Sequence, residues 1–120
     1  FCLGTNDTKN RFGLNATDIA LGVARLVREA DALGCVDRIL VICPPPVEEH
    51  GDLAPIFEGA AARCIGLPEA MERLVRAAGA AFFNAGSVIA VDPLDGVHWS
   101  AQTHATLGAV VAVKVGQILG

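Results

Sequence analysis

After Arg38 the chain runs Ile39-Leu40-Val41-Ile42-Cys43 and then stops hard at Pro44-Pro45-Pro46. A strand buried on one face alternates apolar and polar residues, whereas an unbroken apolar run is what a parallel strand needs when helices cover both its faces. Proline ends the run because it has no amide proton to give a ladder. This stretch predicts a central strand of an open α/β layer fold, and the flanking segments agree with it.

Toward the amino end, Phe1 to Leu3 reads as the stub of a strand that enters the turn-forming cluster Gly4-Thr5-Asn6-Asp7. Asn15 can cap a helix with Asp18 three residues on, and Ile19, Val23, Leu26, Val27, Ala30 and Leu33 then share a face until Gly34 ends it. Toward the carboxyl end, an acidic loop from Val47 to Asp52 precedes a helical pattern from about Ile56 to Ala78. Ile65, Met71, Leu74, Val75 and Ala78 point one way in that pattern, and Pro68 must kink or split it. Ala80 to Phe83 reads as a third strand, Asn84 to His98 as a loop, and Ser100 as the cap of a last helix facing inward through Leu107, Val111, Val115 and Ile118.

Strands alternating with helices imply right-handed crossovers and a parallel sheet with helices on both faces. Three strands make a narrow sheet, and the chain opens inside the first of them, so residues 1–120 are expected to be part of a larger domain.

Composition narrows the function. With 9 Lys plus Arg against 13 Asp plus Glu, the net charge of -4 argues against nucleic acid or an anionic membrane as partner. Apolar residues are 52% of the 120, with 13 glycines besides, which excludes disorder. No run reaches the roughly 18 apolar residues of a membrane span, and no basic segment opens the chain as a signal peptide would. Cys2, Cys35, Cys43 and Cys64 lack the spacing of a zinc site or disulfide framework, and free thiols in a reducing cytoplasm are expected.

Ligands of open parallel sheets bind beyond the carboxyl ends of the strands. Two of the loops there carry chemistry. Asp95-Gly96-Val97-His98 puts a carboxylate and an imidazole three residues apart, so Asp95 can accept from His98 Nδ1 and leave Nε2 facing the cleft, the acid and base of a triad. The same spacing also fits a surface turn with an incidental pair. Asn6 offers an amide that can donate to an oxyanion, or it is a simple turn residue. Pro44 to Val47 and Trp99 suggest an apolar rim for small acyl or aryl groups.

Taken in order, these pieces resemble the carboxyl-terminal part of an SGNH, or GDSL-type, hydrolase. Gly4-Thr5-Asn6-Asp7 resembles the family's G-x-N-D block, and Asp95-x-x-His98 its last block. Gly4 to Phe12, Asp18-Ile19-Ala20, Pro44-Pro45-Pro46, Phe57-Glu58-Gly59-Ala60 and Phe82-Phe83-Asn84-Ala85-Gly86 are similar to the aryl esterase and acyltransferase branch. The resemblance implies a three-layer flavodoxin-like fold, present as a truncated part, and a serine esterase or acyltransferase for small acyl or aryl esters. In it Asp95 orients His98, His98 is the base, and Asn6 serves the oxyanion hole. No cofactor or metal is implied. The expected partners are an ester substrate and either a second copy of the chain or the missing amino-terminal part, whose first strand would pair with Phe1 to Leu3.

The G-D-S block with the nucleophilic serine does not occur. Ser87 and Ser100 lie in neither a G-D-S nor a G-x-S-x-G context, so the serine is expected upstream and the 120 residues alone are expected to be inactive. Asn84 stands where that branch usually has Asp. Other readings are a flavin or nucleotide binder, which lacks a phosphate loop, a non-catalytic interaction piece, a cysteine hydrolase using Cys43 with His98, and a metal site at Asp92, Asp95 and His98, which lacks a fourth donor.

Overall fold

The computed structural model describes residues 1–120. Strand β1, Leu40–Cys43, lies parallel to β2, Ala81–Asn84, with Val41 opposite Phe82 and Ile42 opposite Phe83. Phe1 to Leu3 lies on the other side of β1, reduced to one parallel bridge between Cys2 and Ile42, with the Ile42 amide donating to the Phe1 carbonyl at 2.7 Å. The three expected segments therefore stand side by side, the first as a bridge rather than a strand.

Helix α1, Ala16–Ala32, begins at a capping box in which Asn15 accepts from the Asp18 amide while Asp18 accepts from the Asn15 amide, a device worth about 1 kcal/mol. The single helical pattern expected from 56 to 78 is two helices, α2 at Ala60–Cys64 and α3 at Leu67–Ala77. Pro68 splits rather than kinks it, because the first turn of a helix is where proline's missing N–H costs nothing.

Both α1 and α3 cover one face of the sheet. Val41 and Cys43 point there, into a core with Ile19, Ala20, Val23, Ala24, Val27, Leu67, Met71 and Val75. Ile42 and Phe83 point the other way, toward Leu107 of α4, Ala101–Leu119, which gives the third layer. Each large apolar side chain buried here contributes about 1.5–3 kcal/mol.

Three expected faces are buried only in part. On α1 the expected Ile19, Val23 and Val27 are buried, joined by Ala20 and Ala24, whereas Leu26 and, just past the helix, Leu33 are exposed. Ile65 ends α2 with an extended backbone and is exposed, so Leu67 takes the inward place. On α4 only Leu107 is buried, while Val111 is partly covered and Val115 is exposed. No helix is long and apolar enough to cross a membrane.

Candidate active site

The loop after β2 is shaped by its own polar side chains. Asn84 accepts from the Gly86 amide at 3.0 Å, an acceptor role that an aspartate would fill equally, and the Ser87 hydroxyl donates to the Asn84 carbonyl at 2.7 Å. Asp92 accepts from the Leu94 amide at 2.9 Å, while its carbonyl accepts from Gly96 and its amide donates to the His98 carbonyl. Asp92 is thus a turn-former, and Ser87 is held in a local turn.

That turn presents Asp95 and His98 together. Asp95 Oδ1 accepts from the amides of Val97 and His98, both at 2.9 Å, and Oδ2 meets His98 Nδ1 at 2.6 Å. These contacts, led by the imidazole hydrogen bond and followed by the two amides, lower the Asp95 carboxyl from 3.8 to about 2. The sign follows from linkage: a depressed carboxyl contributes order above its unfolded value and loses it as pH falls through the folded one. We expect the Asp95–His98 link to be complete above about pH 4 and to break on approaching pH 2, followed by the Asp95 carboxyl carbon in a nuclear magnetic resonance titration. An Asp95 midpoint near 4 would contradict the geometry.

The pair is anchored through the residue between its members. Val97 is buried with Val47, Phe57, Ala60 and Cys64. Gly96 has φ +72°, and a Cβ there would lie 1.9 Å from the Glu48 carbonyl oxygen; the Glu48 amide donates to the Gly96 carbonyl at 2.8 Å. Pro44, Pro45 and Val47 are buried and only Pro46 is exposed, so this stretch does not form the expected apolar rim.

Asn6 opens a 3-10 turn, Asn6–Thr8. Thr8 is fully buried, its hydroxyl donating to the Thr5 carbonyl at 2.6 Å, and Arg63 donates to the Thr8 carbonyl from Nε at 3.0 Å and Nη2 at 2.8 Å. Arg63 was not visible as a site residue in the sequence, because a side chain tied to a distant backbone carbonyl leaves no periodic signal. Glu49 was missed likewise; it accepts from the Gly59 and Ala61 amides at the start of α2.

Asn6 and His98 face the same space from opposite ends of the chain. They line a cavity of about 220 Å³ with Thr5, Val97, Trp99 and His104, and a smaller one of about 140 Å³ with Lys9, Leu53, Ile56, Phe57 and Val97. The apolar walls are therefore Leu53, Ile56, Phe57 and Trp99. Nε2 of His98 makes no hydrogen bond within the chain, and the side chain is 74% exposed. Such a site can take a proton at Nε2 while an amide donor faces the same ligand. Cys43 has no such access. It is buried in the α1–α3 core, where burial pushes its thiol up to about 12, so it supplies no nucleophilic thiolate. Ser100 is likewise occupied, capping α4 by accepting from the Thr103 amide at 3.1 Å.

No protein-family model and no curated protein matches the chain. Solved structures do. The inhibitor-bound aryl esterase of M. smegmatis matches with a TM-score of 0.88 at 35% identity, over 98% of this chain and 59% of its own. A carbohydrate acetylesterase from Sinorhizobium meliloti matches with a TM-score of 0.88 at 33% identity, over 97% of this chain and 58% of its own. The fold, helices on both faces of a small parallel sheet, is that of these esterases, and the chain spans about three fifths of the length of the structures it matches. Over nearly its whole length the chain is similar to these SGNH-type esterases.

Proposed function

We propose that the chain is the carboxyl-terminal part of a single SGNH hydrolase domain whose serine lies upstream of Phe1, and that the whole protein is a serine esterase for small acyl or aryl esters. The carrying observation is the convergence of Asn6 with an imidazole whose Nδ1 is held by Asp95 at 2.6 Å and whose Nε2 is free. In this reading the serine oxygen attacks the ester carbonyl and gives its proton to His98 Nε2. The oxyanion is met by the Asn6 amide. The C–O bond then breaks, its electron pair leaves with the alcohol oxygen, and Nε2 returns the proton to it. Water or a second alcohol releases the acyl group, so hydrolysis and acyl transfer share one intermediate.

Two surface features support a missing amino-terminal part. The free edge of Phe1 to Leu3 flanks an open groove of about 400 Å³ lined by Leu3, Leu14, Ile19, Val23 and Leu26, and α4 leaves Val113 and Leu119 exposed. Both would be covered by further strands and helices, or by a second copy. The four cysteines are free, which fits a cytoplasmic setting.

The test uses the chain extended on its amino side by the segment that brings the serine. We expect it to hydrolyse a short-chain aryl ester and to be labelled by a phosphonate that traps an activated serine. Hydrolysis that continues undiminished after saturating phosphonate would reject a serine mechanism. Asn6→Ala in the same protein is expected to lower kcat by about 10²–10³ with KM little changed, since it removes one oxyanion donor. An equal loss for ground-state binding of a substrate analogue would assign Asn6 to binding alone.

A further inference from the structure

The smaller of the two cavities carries a charge that the esterase mechanism leaves without a role. It extends from Asn6, Val97 and His98, which it shares with the larger one, to Lys9, Leu53, Ile56 and Phe57. Lys9 is half-buried there, with Nζ 5.7 Å from the centre of the Phe57 ring, and a ring face offers a cation only a weak partner. No carboxylate pairs with it. The ion pairs of the chain are Arg25–Glu29, Arg76–Glu72, Glu48–His50 and Asp95–His98.

Backbone contacts put Lys9 in this place. It follows directly on the turn that holds Asn6, its amide donating to the Asn6 carbonyl at 3.3 Å, and it opens the next turn, Asn10–Phe12. The Asn10 amide donates to the Ile56 carbonyl at 3.1 Å, which ties that turn to the segment bearing Ile56 and Phe57. An ammonium is thus presented beside an apolar wall, in the same cavity as the amide of Asn6 and the imidazole of His98.

We propose that Lys9 is a specificity residue, and that the arm of the ester entering this cavity carries a carboxylate. The inference rests on the esterase reading and names a substrate class that reading leaves open, esters with one anionic end. The carbon chain of that arm packs on Leu53, Ile56 and Phe57 while its carboxylate meets Lys9 Nζ, a charge-assisted hydrogen bond to a cation that has no other anionic partner. Lys9 takes no part in making or breaking bonds. Its contact is the same in the bound ester and in the transition state, so it lowers KM for the anionic ester and leaves kcat alone. A neutral ester gains nothing from it.

The test uses the amino-terminally extended chain and two matched pairs of esters, one pair for each arm. Phenyl hydrogen glutarate is set against phenyl pentanoate, and 3-acetoxybenzoate against 3-methylphenyl acetate, all corrected for uncatalysed hydrolysis. In one of the pairs Lys9→Met is expected to raise KM for the anionic ester about five- to twentyfold, with its kcat and both constants of the neutral ester unchanged. The pair that responds identifies the arm. Lys9→Arg is expected to keep the preference, and added salt to shrink it in the unaltered protein but not in Lys9→Met. Methionine keeps an apolar contact with Phe57, so the fold is not at stake. Unchanged KM in both pairs would overturn the proposal. So would an equal loss for neutral and anionic esters, which would mean that Lys9 shapes the cavity and does not read charge. Failure of the esterase reading is separate. If the extended chain is inert toward every ester, pentanoate is titrated into the 120-residue chain and the Lys9 ammonium nitrogen is followed by nuclear magnetic resonance. A saturable shift then rejects the esterase and leaves a carboxylate site, whereas no shift rejects both. An active esterase indifferent to Lys9→Met rejects this inference alone.

Discussion

His98→Ala, in the chain extended to carry its serine, is expected to lower kcat by about 10⁴- to 10⁶-fold while KM changes little. The magnitude follows from the work Nε2 does. It takes the proton in the attack and returns it to the departing oxygen, so without it both barriers rise and water is a poor substitute. Asp95 is a poor substitute, since its Oδ1 stays committed to two backbone amides, which lower the carboxyl and make it a weak base. The imidazole is 74% exposed and the loop is held through Val97 and Gly96, so the variant should unfold in urea at the same midpoint as the unaltered protein. A stability change would confuse the result; an unchanged midpoint with the activity gone isolates chemistry. More than about a tenth of the original kcat in His98→Ala would reject the assignment, because no group with a merely orienting role is that dispensable in a triad.

The layers of this fold were readable where one residue decides the local backbone. The apolar run ending at Pro44 is the central strand; Asn15 with Asp18 and Ser100 are helix caps; Pro68 sits at a helix start. Faces were less readable, because periodicity says that a helix has an apolar side and not which part of it a neighbour will reach. Leu26 and Leu33 lie on the apolar side of α1, yet they are exposed while the small Ala20 and Ala24 are buried. The same limit explains α4, which is apolar almost all round and buries only Leu107. The first strand shrank to one bridge, since Gly4 with φ +130° turns the chain away from the sheet at once.

The site divides similarly. The Asp95–His98 pair was visible because three residues of a turn suffice to make it. The shared cavity of Asn6 and His98 was not, since 92 positions separate the two in the chain and only the sheet brings their loops together. The family pattern supplied that convergence in advance. It could not supply Arg63 on the Thr8 carbonyl or His104 beside Trp99, which arise from where α2 and α4 dock.

Gly96→Ala is expected to be the most damaging substitution that leaves every catalytic side chain in place. A left-handed backbone costs a non-glycine residue about 1–3 kcal/mol, and φ +72° at Gly96 is such a position. The new Cβ would also lie 1.9 Å from the Glu48 carbonyl oxygen, which is backbone and has no rotamer to turn aside. The 48–51 loop must move. Its hydrogen bond from the Glu48 amide to the Gly96 carbonyl is then lost, at about 0.5–1.5 kcal/mol. Together these come to about 1.5–4.5 kcal/mol before the collision itself, a large part of the 5–15 kcal/mol that holds a typical domain. Even where the chain stays folded, a shift of about 1 Å in His98 is enough for about a 10²-fold loss in kcat. Gly13→Ala is the control. Its φ is +61° with nothing within 4 Å of an added Cβ, so it carries the backbone strain without the collision. Urea midpoints of the two variants separate the terms: Gly96→Ala should fall well below Gly13→Ala, and only Gly96→Ala should lose kcat. Equal midpoints would mean that the Glu48 contact does not hold the catalytic loop, and the anchoring assigned to Gly96 would have to pass to Val97.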